Sequence, residues 1–103
     1  MKHIIILLLT SIITSCNSYV TFHTEKGSSS LVEYRTVINE IDQELYKNKL
    51  FIGSKQKIEN NECIYTYLSE DRKKREILII KLKSLVESEL KKKPNSFKVL
   101  ELK

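Results

Sequence analysis

Residues 50–68 read LFIGSKQKIENNECIYTYL, and this stretch decides the fold class of the chain. Aromatic and branched aliphatic residues flank a polar cluster at positions 59–61, which is typical of two strands joined by a turn. The flanking residues are Phe51, Ile52, Ile58, Ile64, Tyr65, Tyr67 and Leu68. The pattern predicts a β-hairpin. Gly53 in its first arm predicts a bulge or bend, and Cys63 in its second arm predicts a small buried side chain.

The sequence before the hairpin has the period of an amphipathic helix. Between residues 31 and 45, apolar residues recur at steps of three and four and are separated by charged and polar ones. This apolar stripe consists of Leu31, Tyr34, Ile38, Ile41 and Leu45. Ser30 and Glu33 match a capping box, which predicts the first turn, and the helix is expected to end near Asn48.

The same stripe occupies a and d positions of two heptads. A sustained coiled coil needs three or four heptads. We therefore favour packing of the stripe against the core of its own domain, with a coiled-coil dimer as the alternative.

The segment at residues 69–93 allows two interpretations. In the first it is one long helix that starts near Ser69 or Asp71, has acidic residues in its first turn and ends in lysines, as the helix dipole favours. In the second, residues 76–83 form a third strand and a shorter helix begins at Ser84. We favour the long helix, because most apolar residues of the segment share one helical face. These are Leu78, Ile79, Leu82, Leu85, Val86 and Leu90, whereas Ile77 and Ile80 fall outside it.

The C-terminal residues predict one more strand. Pro94 and Asn95 end the preceding helix, and four apolar residues follow, Phe97, Val99, Leu100 and Leu102. Residues 31–103 are thus expected to form an α+β domain, with two amphipathic helices packed on a small antiparallel-dominated sheet.

Residues 16–30 predict a flexible tether. They contain many small and polar residues, end in the run at 27–30 and show no sustained apolar period. About 14 such residues span roughly 20 Å, which would lift the domain clear of a membrane surface. His23 falls in this segment and is expected to be exposed.

Residues 1–15 have the layout of a signal peptide. Lys2 and His3 precede an apolar run at residues 4–13, interrupted by Thr10 and Ser11. As a helix this run would cover about 15 Å. That is half of the roughly 30 Å hydrocarbon core of a bilayer, so the run is too short for a permanent span.

The four residues Ile13, Thr14, Ser15 and Cys16 resemble the lipobox of bacterial lipoproteins. The resemblance implies that signal peptidase II recognises Ile13, Thr14 and Ser15 and cuts before Cys16. It further implies that the Cys16 thiol carries a diacylglyceryl group and that the new amino group is acylated, as with palmitate. The resemblance covers the first 16 residues only.

The residue after the lipobox bears on the location of the protein. In enteric members of the lipoprotein class, Asp after the lipidated cysteine retains the protein in the inner membrane, whereas this chain has Asn17. The resemblance therefore implies an outer-membrane lipoprotein that faces the periplasm or the cell surface.

The chain lacks the residue patterns of common catalytic and metal sites. After position 16 it contains one histidine, His23, and one cysteine, Cys63, which cannot supply a zinc site of Cys and His ligands. It contains neither a nucleophile elbow nor a glycine-rich phosphate loop. We expect no enzymatic activity, no metal and no cofactor. A disulfide between two copies through Cys63 is the alternative to its burial.

Charge is distributed unevenly along the chain. Residues 16–70 carry six basic and eight acidic side chains, whereas residues 71–103 carry eleven and five. Two basic clusters are candidate contacts for anionic lipid or an acidic envelope protein. They are Arg72, Lys73, Lys74 and Arg75, and Lys91, Lys92 and Lys93. Nucleic acid is not an expected partner, because no aromatic residues are interleaved with these clusters.

These observations predict a membrane-anchored lipoprotein that acts as a non-catalytic interaction module at the cell envelope. The alternative is a protective lipoprotein, of the immunity or exclusion type, that blocks a toxin or phage there. The sequence leaves the oligomeric state open.

Overall fold

A computed structural model describes residues 18–103, which form six elements. In chain order they are β1 (Tyr19–Lys26), α1 (Leu31–Lys47), β2 (Gly53–Glu59), β3 (Glu62–Leu68), α2 (Arg72–Lys92) and β4 (Phe97–Leu102). The expected α+β fold, with two helices packed on an antiparallel sheet, is confirmed.

The sheet has the strand order β2-β3-β1-β4, and every neighbouring pair is antiparallel. Together with the succession β-α-β-β-α-β, this order is the ferredoxin-like, split βαβ arrangement. One consequence is that β1 begins at the end of the domain where β3 ends and α2 begins. At the opposite end lie the β2-β3 turn, the start of α1 and the end of α2.

The core lies between the sheet and the two helices. Side chains of β1 and β3 alternate between a buried face, which packs against the helices, and a face that neither helix covers. The buried set from the strands comprises Val20, Phe22, Thr24, Cys63, Tyr65, Tyr67 and Phe97, and that from the helices Tyr34, Val37, Ile38, Ile41, Leu45, Leu78, Leu82 and Val86.

Helix α1 forms as the sequence predicts. The Ser30 hydroxyl accepts a hydrogen bond from the Glu33 N–H over 3.1 Å, and Asn48 is the C-cap. The stripe residues from Tyr34 to Leu45 are almost fully buried in the domain's own core. They are therefore not available as a coiled-coil seam, and that alternative is wrong.

Helix α2 is a single helix of 21 residues, so the alternative strand at residues 76–83 is wrong. Asp71 caps it, and Ile77 and Ile80 are exposed as their position off the apolar face predicts. The expectation of acidic residues in the first turn is wrong, because that turn contains none.

The hairpin is confirmed, with Asn60 in the left-handed conformation (φ 39°) at the turn. A bulge at Gly53 is not observed, since β2 pairs with β3 without a register shift from Gly53 to Glu59. The shift lies instead between His23 and Thr24 on β1, opposite β4. Cys63 is 2% exposed, which confirms its burial and disfavours a disulfide between two copies.

The predicted tether is wrong for most of its length, because Tyr19–Lys26 is a central strand of the sheet. Its buried residues are separated by polar ones that line the other face, so no continuous apolar run marks the strand. The connection that follows is also fixed. Gly27 N–H donates to Ser96 O over 3.0 Å, and Ser28 N–H donates to Asn95 O over 2.8 Å.

Candidate functional site

The predicted lipidation residue precedes the first described residue by two positions in the sequence. Ile13, Thr14, Ser15 and Cys16 are outside the described residues, which begin at Ser18. The Ser69 N–H donates to Ser18 O over 2.8 Å, which fixes the main chain there to the loop before α2. Successive Cα atoms are 3.8 Å apart, so the Cα of Cys16 lies within about 8 Å of that of Ser18.

We call the end of the domain that includes residues 18–19, 50–53, 68–75 and 102–103 the basal end. The opposite end, at residues 26–30, 59–62 and 91–97, is the distal end. A lipid on Cys16 would hold the basal end close to the bilayer, because only Asn17 separates Cys16 from Ser18.

The structure places the first basic cluster at the basal end. Arg72, Lys73, Lys74 and Arg75, the basal cluster, are the first four residues of α2. The Arg75 Nε–H donates to the carbonyl oxygen of Tyr19 over 2.9 Å, which joins the start of α2 to the start of β1.

The four cations of the basal cluster differ in their partners. Lys74 pairs with the Glu70 carboxylate, which holds the pKa of Lys74 above its usual value through a hydrogen bond and its charge. Arg75 Nη1 lies 3.5 Å from Glu76 Oε1. Within residues 18–103, Arg72 and Lys73 have no carboxylate oxygen within 4 Å.

The position of the basal cluster is unfavourable for the helix itself. A helix N-terminus carries about half a positive charge, so cations in the first turn are destabilising. The Asp71 carboxylate opposes that charge as the N-cap, since it accepts a hydrogen bond from the Lys74 N–H over 2.8 Å. A sequence that breaks a local rule in this way is more often found at functional sites than elsewhere.

The second basic cluster lies at the distal end. Lys91, Lys92 and Lys93, the distal cluster, occupy the last turn and C-cap of α2, where the helix dipole favours cations. Lys92 Nζ is 3.9 Å from Glu89 Oε1. At a rise of 1.5 Å per residue the two clusters are about 28 Å apart, so the fold does not bring them together.

Two exposed apolar side chains accompany the basal cluster. Tyr19 is 48% exposed and Ile52 is 66% exposed. Both neighbour Leu68, since Tyr19 pairs with Leu68 across the sheet and the Ile52 N–H donates to Leu68 O over 2.8 Å. Sequence analysis missed this pair, because exposure is set by the pairing of β1 with β3, which the sequence does not reveal.

Two surface clefts open beside Tyr19. The larger, of about 490 Å³, is mostly apolar and is lined by Tyr19, Gly53, Ser54, Lys55, Thr66 and Leu68. The smaller, of about 270 Å³, is lined by Tyr19, Thr21, Arg75, Glu101 and Lys103. The main chain of Lys103 is held by hydrogen bonds to Thr21 in both directions, at 2.8 and 3.1 Å. Lys103 thus adds a basic residue to the basal end.

His23 and Cys63 do not form a common site. His23 Nε2 lies 2.7 Å from Glu62 Oε1 on the sheet face that the helices leave uncovered, so its predicted place in a tether is wrong. Cys63 lies on the buried face. Across the part of the chain that the structure describes, no three His, Cys, Asp or Glu side chains converge as metal ligands would.

Three tyrosines are buried in the core, and two of them, Tyr34 and Tyr67, form hydrogen bonds between the sheet and α1. The hydroxyls of Tyr34 and Thr24 are 2.8 Å apart, and the Tyr67 hydroxyl donates to Asp42 Oδ1 over 2.8 Å. Burial raises the pKa of Tyr65 to about 12, with a further contribution from the charge of Asp42. Burial likewise raises the pKa of Tyr34 and Tyr67 well above their usual value. These groups are structural, because each has its hydroxyl inside or at the edge of the core.

No family model, no curated protein and no solved structure matches this chain. Neither helix within residues 18–103 has the length and apolar character needed to cross a membrane.

Proposed function

We propose that this protein is a bacterial lipoprotein, anchored through lipid on Cys16, whose domain is a non-catalytic interaction module at the cell envelope. The outer membrane is the proposed location, because Asn17 follows the lipobox. The observation that carries the proposal is the spacing between the lipobox and the fold. Ser18, two residues after Cys16, is hydrogen-bonded to Ser69, so a lipid on Cys16 would be joined to the folded module by a very short segment.

The fold leaves surfaces free for a protein partner. If the basal end lies at the bilayer, the distal cluster lies roughly 28 Å farther along α2, on the side away from the membrane. Lys91 and Lys93 have no carboxylate oxygen within 4 Å among the described residues. They are the proposed contact for an acidic surface of an envelope protein.

Membrane confinement makes such a contact effective. Two molecules held at one surface meet at a raised effective concentration, so a modest interface without a deep pocket is sufficient. The burial of Cys63 supports a non-catalytic role, because the one thiol among residues 18–103 is enclosed in the core and is not accessible as a nucleophile.

The first test is the intact mass and membrane fractionation of the full chain expressed in a bacterium. We expect a chain that begins at Cys16, carries a lipid-sized mass gain and sediments with membranes. Cys16→Ala should abolish both the cleavage and the mass gain. Cys63→Ala is the matched control and should retain both, since Cys63 lies in the core. An unmodified wild-type chain in the soluble fraction would refute the anchor.

The second test addresses the partner. Crosslinking in cells, followed by capture of the protein, should recover an envelope protein whose yield falls in the Lys91→Gln, Lys93→Gln double variant. The Lys81→Gln, Lys83→Gln variant, which removes two charges from the middle of α2, should not change that yield. Equal recovery with both variants would remove the distal cluster from the proposal.

A further inference from the structure

We infer that the basal end is a docking surface for the phosphate headgroups of anionic lipids, and that it sets the orientation of the domain on the membrane. The inference rests on the proposed anchor at Cys16 and adds a second, electrostatic contact to it. Arg72, Lys73 and Lys103 face the phosphates, while Tyr19 and Ile52 enter the interfacial region.

The basal cluster lies close to the proposed anchor. The Cα of Cys16 lies within about 8 Å of that of Ser18. Ser18 is bound to Ser69, three residues before Arg72. An acyl chain on Cys16 would therefore hold the basal cluster within reach of the headgroups, whereas the distal cluster is too far away along α2.

Two cations of the basal cluster are available to bind a phosphate. Arg72 and Lys73 are exposed, lack a carboxylate partner within residues 18–103 and lie at the positive end of the helix dipole. A phosphate at this place would neutralise the charges of Arg72 and Lys73, which the nearby carboxylates of Glu70, Asp71 and Glu76 do not pair with. The distal cluster offers no such gain, because the dipole already favours cations there.

An apolar pair lies beside these charges. Tyrosine is enriched at membrane interfaces, where its ring lies among the headgroups and its hydroxyl stays hydrated. Tyr19 directly follows Ser18, and Ile52 is hydrogen-bonded to Leu68, the residue before the Ser69 that binds Ser18; both side chains are exposed. Basic residues around a small apolar tip are typical of surfaces that lie on anionic membranes.

The smaller cleft provides a place for one headgroup phosphate. Arg75 and Lys103 line it together with Tyr19, Thr21 and one acid, Glu101. Arg75 is held in position by its hydrogen bond to Tyr19 O. Lys103 is therefore a better residue to substitute than Arg75, because within residues 18–103 its side chain forms no hydrogen bond that holds the fold.

The inference is tested by hydrogen exchange on the full protein as the bacterium processes it, reconstituted into two kinds of vesicle. One contains phosphatidylcholine alone and the other phosphatidylcholine and phosphatidylglycerol at 3:1. We expect the anionic vesicles to slow amide exchange at residues 70–77 and to leave residues 89–96 unchanged. In the Arg72→Gln, Lys73→Gln variant this slowing should be lost, and Lys103→Gln should reduce it.

Lys91→Gln with Lys93→Gln is the matched control, since it removes the same number of charges from the other end of α2, and it should retain the slowing. Equal exchange in both vesicles, or slowing at residues 89–96 instead, would overturn the inference. So would an equal effect of inorganic phosphate without vesicles, because the ligand would then be a free anion.

The same samples separate this inference from the proposed function. Intact mass reports whether Cys16 carries lipid. Anionic-lipid protection at residues 70–77 in a chain without lipid would refute the anchor and support the docking surface. A lipidated chain without that protection would support the anchor and refute the docking surface.

Discussion

Both ends of α2 carry a run of basic residues, four at the N-terminal end and three at the C-terminal end. The helix dipole disfavours the first run and favours the second. At the distal end, Lys91 and Lys92 lie where the helix dipole favours cations, and Glu89 lies close by. At the basal end, Arg72 and Lys73 lie where the dipole disfavours them and lack a carboxylate partner in the described chain. Composition alone therefore does not identify a binding surface. Position on the helix distinguishes charges that the helix dipole favours from charges that it disfavours.

The largest expected effect is a fall in the free energy of unfolding at high pH. It concerns the buried tyrosines of the core that the basal and distal ends share. Folding raises the pKa of Tyr65 from 10.0 to about 12, which corresponds to about 3 kcal/mol. The folded state holds a proton that the unfolded state releases, so this contribution is complete below pH 10 and is lost as the pH rises toward 12 and beyond. Tyr34 and Tyr67 act in the same direction.

Chemical denaturation between pH 8 and pH 12 measures this loss. The free energy of unfolding should stay constant up to about pH 10 and then fall. In Tyr65→Phe the fall should be shallower, because one titrating group is removed. A free energy that does not change across this range would contradict the burial of the tyrosines.

Gly27→Ala should destabilise the distal end selectively. A Cβ at Gly27 would lie 2.0 Å from the carbonyl oxygen of Asn95, so the main chain must shift. We expect a loss of about 3 kcal/mol in the free energy of unfolding. Gly53→Ala, at the basal end, is the control, since a Cβ there has no heavy atom within 4 Å. Urea denaturation of both variants measures the difference, and equal losses would be inconsistent with the close approach at Gly27.

Asp71→Ala should weaken the basal end. It removes the N-cap of α2 and the carboxylate next to the basal cluster, so we expect a loss of about 2 kcal/mol, the upper end for a cap. Ser30→Ala removes the cap of α1, where no basic cluster follows, and should cost about 1 kcal/mol. If the two losses, measured by thermal unfolding, are the same, the basal cluster imposes no electrostatic cost on α2.

The smallest expected effect is the change in the free energy of unfolding when two cations are removed from one end of α2, and its sign differs between the two ends. Arg72→Gln with Lys73→Gln should raise the free energy of unfolding by about 0.5 to 1 kcal/mol, since it removes two cations from the wrong end of the dipole. Lys91→Gln with Lys93→Gln should lower it by a similar amount. Both differences should shrink in 1 M salt, where charges are screened. Denaturation curves at low and high salt test this, and changes of the same sign would contradict the comparison.

Much of the fold could be predicted because its periodic elements are strong. The stripe of α1 and the apolar face of α2 repeat over several turns, and the hairpin has a clear turn cluster. β1 could not be recognised, because only Val20 and Phe22 mark its buried face with apolar side chains. Its third buried residue is Thr24, which is stabilised by the distant Tyr34 hydroxyl.

Part of the candidate site could be predicted from the sequence. The basal cluster stands out in the sequence as four consecutive cations, Arg72 to Arg75. Its place beside the start of β1 depends on the long-range pairing of β1 with β3 and β4, which no local pattern encodes. For the same reason the sequence did not distinguish the basal from the distal cluster.

The central position of β1 has a mechanical consequence. If lipid holds Cys16 and a partner pulls on the distal end, the load enters the sheet along β1, which is flanked by β3 and β4. The hydrogen bonds of antiparallel strands run perpendicular to the strands, so such a pull shears both ladders at once and does not open them one bond after another. An anchor directly before a central strand would therefore distribute tension over two ladders, β1-β3 and β1-β4.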